Sequence, residues 1–186
     1  MKIVFIFGPQ AVGKMTIGKR LSEKINVPLL FNHMTLDILT PFFGWSKDTF
    51  RISQNIRCEI LETIADNGEN PGIILTFGFY FDEPADWEIF RKYCDIFESR
   101  GIEICLVELT ATLEERVSRN KTEYRLKMKP SKTDIEFSEW ELLSSNEKHR
   151  LTSDDGEIEH PNYLKLDVTD LTVDEAVEKI RERFPL

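Results

Sequence analysis

The sequence predicts an α/β fold, an open parallel sheet of about five strands with helices on both faces. Short apolar runs recur at Ile3–Phe7, Pro28–Phe31, Ile73–Phe77, Ile102–Leu109 and Tyr163–Val168, several of them apolar on consecutive positions, as strands covered on both faces are. Helical patterns separate the runs. Parallel neighbours need crossover connections, and helices supply them.

Each element carries its own signal. Ile3–Phe7 is too short for a signal-peptide core and leads into Gly8-Pro9 rather than a cleavage site, so it reads as a first strand of a cytoplasmic protein. The helix after Gly13 places Ile17, Leu21 and Ile25 on one face. A later helix carries Trp87, Phe90, Cys94 and Phe97 and stops at Gly101. Thr172 and Glu175 form a capping box, after which Val173, Ala176, Val177, Ile180 and Phe184 make one apolar stripe. Two regions interrupt the alternation, Leu36–Asn67 and Asn120–Pro161, and both are candidate flaps.

Composition bounds the function. The 186 residues carry 24 Lys+Arg against 33 Asp+Glu, a net charge of −9, which disfavours nucleic acid and anionic membrane as partners. No apolar run approaches the roughly 20 residues that span a bilayer. Cys58, Cys94 and Cys105 are widely spaced within apolar stretches and read as buried free thiols. Nothing separates the chain into two domains, so residues 1–186 are read as one, monomeric or homodimeric.

Gly8-Pro9-Gln10-Ala11-Val12-Gly13-Lys14 matches G-x-x-x-x-G-K directly between a strand and an amphipathic helix. In that setting loop amides and the helix N-terminus wrap a phosphate chain while the lysine reaches the outer phosphates. Gly8, Gln10, Ala11, Val12, Gly13, Lys14, Met15 and Thr16 are therefore the candidate nucleotide contacts. Position 15 normally supplies a hydroxyl to Mg²⁺, and Met15 cannot bind a hard cation. Thr16 stands one place later and can reach an inner phosphate.

On these motifs the chain resembles P-loop kinases of the nucleoside monophosphate kinase and shikimate kinase-like group. Lys14-Met15-Thr16 is similar to the Gly-Lys-Gly-Thr of adenylate kinases. The resemblance implies the three-layer P-loop NTPase fold, an acceptor-binding helical region over 36–67, and a lid and insertion over 116–161. It also implies ATP and Mg²⁺ as cofactors, and a small-molecule acceptor.

His33 and Asp37 follow the second strand, where such kinases carry the group that orients or deprotonates the acceptor hydroxyl; Asn32, Thr35 and Asp37 read equally well as turn and cap residues. Arg57 occupies the place from which the resemblance implies a grip on an acceptor carboxylate or phosphate, Arg51 being a weaker candidate. The alternative is a snorkelling surface arginine. After the third strand, Thr76-Phe77-Gly78-Phe79-Tyr80-Phe81-Asp82 offers Phe79 as an apolar wall for the acceptor or a plain core residue, and Asp82 as a water-mediated Mg²⁺ partner.

Between positions 116 and 132, Arg116, Arg119, Lys121, Arg125, Lys127, Lys129 and Lys132 face the single acid Glu123, a local charge of +6. Such a cluster suits a transferred phosphoryl group, and Arg116 and Arg119 fit the lid positions. A solvated basic face is the alternative. The resemblance also implies that Asp167-Val168-Thr169 borders the adenine. The reading is an ATP-dependent phosphotransferase that uses Lys14, Arg116 and Arg119 on the phosphates and His33 or Asp37 on the acceptor. Its rivals are a nucleotide-binding regulator or hydrolase and a nucleic-acid end-processing kinase.

Overall fold

A computed structural model describes residues 1–122 and 134–186. Five parallel strands, β1 (Lys2–Phe7), β2 (Leu29–Leu30), β3 (Gly72–Phe77), β4 (Ile104–Thr110) and β5 (Tyr163–Asp167), lie in the order β2-β3-β1-β4-β5. Among the described residues seven helices cover the sheet. They are α1 (Lys14–Ile25), α2 (His33–Phe43), α3 (Lys47–Asp66), α4 (Pro84–Glu98), α5 (Leu113–Asn120), α6 (Ile135–Lys148) and α7 (Val173–Arg183).

Side chains of a strand alternate between faces, so β1 feeds two cores. Ile3, Phe5 and Phe7 join Leu61, Phe77, Phe90 and Phe97 under α3 and α4. Val4 and Ile6 join Ile17, Leu21, Val177 and Ile180 under α1 and α7. Each such fully buried aliphatic contributes roughly 1.5–3 kcal/mol of transfer free energy. The Thr172–Glu175 capping box starts α7 as the sequence indicates.

The helical region 36–67 consists of two helices, broken at Gly44, whose φ is +59°. Moreover α2 begins at His33, three residues earlier than expected, which turns His33 and Asp37 into i, i+4 neighbours. β1 and β3 end beside each other at Phe7 and Phe77, so the loops that follow them meet at the carboxyl edge of the sheet, where such folds bind ligands. No described helix is long and apolar enough to cross a membrane.

Candidate active site

The phosphate loop is shaped by its backbone. Gly8 has φ +132°, and a Cβ there would sit 2.3 Å from the Leu109 carbonyl oxygen, so β4 admits only glycine at that position. Ala11 holds a left-handed φ of +64°, an uncommon conformation for a residue with a Cβ. Gly13 gives α1 no side-chain cap, and the first-turn N–H groups of that helix are left for an anion. Lys14 Nζ donates to the carbonyl oxygens of Gly8 at 2.7 Å and Pro9 at 2.6 Å.

Two spaces flank this loop. On one side a cavity of about 350 Å³ is lined by Gly13, Met15, Thr16, Arg119, Val168 and Leu171. On the other a chamber of about 280 Å³ runs from Gly8, Gln10 and Lys14 to His33, Trp45, Tyr80 and Glu141. It shares Asn32, Leu36, Phe50, Phe79 and Tyr80 with a further cavity of about 260 Å³ that reaches Arg57.

His33 is 8% exposed, and its Nδ1 lies 3.1 Å from Asp37 Oδ1. The imidazole lines the chamber; Asp37 is not among the lining residues and stands behind it as its hydrogen-bond partner. Arg57 is 2% exposed, bonded through its Nη atoms to Asn32 Oδ1 and the Thr76 carbonyl oxygen, and lies over the Tyr93 ring. It is no snorkelling surface residue. Burial lowers its proton affinity, and among the described residues no carboxylate is paired with it. Phe79 is 1% exposed and packs edge-on against Phe7 and Phe81 while walling both acceptor-side cavities, so core and wall are the same residue.

Three further candidate residues have partners of their own. Arg116 is 3% exposed and reaches Asn146 on α6, so it lines neither space beside the loop; α6 covers it. Arg119 lines the cavity beside α1, but it binds Glu115 Oε1, the Val12 carbonyl oxygen and the carbonyl oxygens of Val168 and Thr169. It bridges the phosphate loop to the end of β5. Asp82 turns away from the loop, accepting from Arg150 N at 3.0 Å and lying 3.3 Å from His149 Nδ1. Of the other cations, Lys121 pairs with Glu139 at 2.9 Å, and Arg125, Lys127, Lys129 and Lys132 lie outside the described residues.

Glu141 was not foreseen. It projects from α6 into the chamber that holds Lys14, and Gln10 Nε2 donates to the Ser138 carbonyl oxygen one turn earlier. The helix hides its own phase, because Ile135, Phe137, Trp140 and Leu143 are exposed while Ser138 is buried. Among the described residues no cluster of three or more His, Cys, Asp or Glu could hold a metal. A single chamber carboxylate fits a Mg²⁺ ion held mainly by phosphate oxygens and water.

No protein-family model matches the sequence. The chain is 26% identical over 119 residues to a shikimate kinase of Buchnera aphidicola subsp. Schizaphis graminum, a match covering 63% of this chain. It spans 63% of the length of that curated relative. A gluconokinase from Sinorhizobium meliloti 1021 superposes with a TM-score of 0.62 at 13% identity, over 98% of this chain and 90% of that one. The Mycobacterium tuberculosis APS kinase, solved with AMPPNP and APS, superposes with a TM-score of 0.57 at 16% identity, over 100% and 98%. The fold is that of the P-loop kinases. The likeness in fold to these two kinases covers nearly the whole chain.

Proposed function

We propose that this chain is an ATP-dependent kinase that moves the γ-phosphate to a hydroxyl of a small, anionic acceptor. The observation that carries the reading is that the phosphate loop with Lys14 and the imidazole of His33 border one chamber, and the buried Arg57 borders a cavity that shares Asn32, Phe79 and Tyr80 with it.

In this reading ATP lies along the loop, its base toward Arg119 and Val168, its inner phosphate at Thr16 and its outer phosphates at Lys14. Arg57 holds the acceptor's carboxylate or phosphate, and Phe79 supplies an apolar wall. His33 accepts the hydroxyl proton as the oxygen bonds to γ-phosphorus, and the bond from that phosphorus to the bridging oxygen breaks to release ADP. Asp37 keeps the imidazole oriented. Mg²⁺, when bound, neutralises charge that builds on the phosphate oxygens, and Glu141 would hold it through water because Met15 has no oxygen to offer. The segment 116–161 is the lid of the proposed enzyme, with α6 the helix that covers Arg116 and brings Glu141 to the chamber.

Thr76 and Phe77 end β3 where a nucleotide-hydrolysing switch would use an acid, which speaks against the regulator reading. The deciding experiment is a screen of ATP consumption and phosphate transfer over sugar acids, hydroxy acids, nucleosides and sugar phosphates. Lys14→Ala should abolish transfer to any acceptor found while preserving the circular dichroism spectrum, because the lysine stabilises charge rather than packing. Undiminished transfer by that variant would remove the loop from the mechanism.

A further inference from the structure

Two opposite charges line the cavity of about 260 Å³, and among the described residues neither is paired with the other or forms an ion pair with any other group. Among the described residues Arg57, on α3, has neutral partners alone: Asn32 Oδ1, the Thr76 carbonyl oxygen and the face of Tyr93. Its Nε is buried with no hydrogen-bond partner at all. A guanidinium taken out of water with no carboxylate to meet it is costly unless a ligand supplies the charge.

Asp86, on the first turn of α4, is the second group. Its carboxylate accepts from Tyr80 N at 2.8 Å and forms no ion pair. The nearby imidazole of His149 stacks on Tyr80 with ring centroids 4.4 Å apart, and its Nδ1 is turned to Asp82 at 3.3 Å and Glu83 at 3.4 Å. Asp82 and Glu83 hold that imidazole between them, and Asp86 feels it only at a distance. Burial first, then Glu83, hold the Asp86 carboxyl above its ordinary range, as expected for an acid without a cation beside it. A place near a helix N-terminus accounts for an acid at this position, but not for its facing the same cavity as an unpaired arginine.

Resting on the kinase reading above, we propose that the acceptor is a zwitterion, a small hydroxylated molecule whose carboxylate or phosphate meets Arg57 and whose ammonium group meets Asp86. One such ligand satisfies both stranded charges at once. An analogue lacking the amino group leaves Asp86 desolvated and unpaired, and sites built to pair a polar group discriminate strongly against ligands without it.

The test uses matched pairs that differ in the amino group: serine against 3-hydroxypropanoate, homoserine against 4-hydroxybutanoate, and glucosamine 6-phosphate against glucose 6-phosphate. Calorimetric binding to the whole chain and phosphate transfer from ATP are measured for each. The proposal expects at least one amino-bearing member to bind, with kcat/KM about 100-fold or more above its partner. Asp86→Asn keeps an acceptor for Tyr80 N, so the melting temperature should hold while that ratio collapses to within about threefold. The proposal is overturned if no amino-bearing compound binds, if amino-free partners serve equally well, or if Asp86→Asn leaves the ratio intact. Failure of the kinase reading looks different, since zwitterions would bind in an Asp86-dependent way without receiving phosphate.

Discussion

His33 Nδ1 and Asp37 Oδ1 stand 3.1 Å apart, one helical turn from each other on α2, and of the two only the imidazole lines the chamber beside Lys14. In the proposed mechanism the acid orients the ring that meets the acceptor. His33→Gln should lower kcat by about 100-fold or more, as loss of a general base does. Asp37→Asn should lower it less, by about tenfold, with little change in nucleotide affinity. Equal losses in both variants with weakened ATP binding would assign the pair to structure instead.

The two arginines of α5 should separate cleanly. Arg116 is buried with Nε and Nη1 lacking partners, so Arg116→Met removes a stranded cation and should raise stability by about 1 kcal/mol with under about threefold change in kcat. Arg119→Ala cuts the tie between Val12 and Val168–Thr169 and should weaken nucleotide binding by about tenfold. Urea denaturation and fluorescent-nucleotide titration read the two effects independently.

Met15 makes a metal prediction. Nucleotide should bind without Mg²⁺, while transfer should stop in excess chelator, because Lys14 alone cannot neutralise the charge on the transferring group. Met15→Ser restores a hydroxyl at the mouth of α1 and should tighten the Mg²⁺ dependence of nucleotide affinity without creating a new activity. Mn²⁺ titrated in place of Mg²⁺ and followed by electron paramagnetic resonance gives the same answer without turnover. Unimpaired transfer in chelator would contradict the scheme.

Alkaline pH should destabilise the fold. Burial pushes the Cys94 thiol up to about 12 and the Cys105 thiol up to about 11, with nearby acids adding to both, and the Tyr163 phenol is also raised, by burial and then by Glu108. These groups keep their protons in the folded chain at pH values where the unfolded chain releases them, so the folded state binds more protons. The contribution is full below an unfolded thiol value of 9.0 and is lost as pH climbs toward the folded values. The urea midpoint should therefore fall between about pH 8 and pH 11, and Cys94→Val should flatten that slope. A slope identical in the variant would place the loss elsewhere.

The strands and the helices beside them were legible because burial on both faces writes itself as consecutive apolar residues, as in Ile3–Phe7 and Ile73–Phe77. The phosphate loop was legible because Gly8 and Gly13 answer to backbone geometry. Helical phase, by contrast, does not say what packs against a face. Nothing local distinguishes Arg116, roofed by α6, from Arg119, which reaches the loop. Asp82 and Asp86 look alike along the chain, and only the position of His149 and Arg150 turns the first outward. Glu141 was hidden because its helix exposes Phe137 and Trp140 and buries Ser138, the reverse of the pattern that sequence reading relies on.

The bonds from Lys14 to Gly8 and Pro9 mean that the loop is its own first ligand. An arriving phosphate chain must evict the ammonium from two carbonyl oxygens before it gains that charge, so net affinity is a difference between two competing occupants. The same exchange runs backward after transfer. In the proposed reaction the carbonyls would reclaim the lysine as ADP departs, and the loop itself would favour product release.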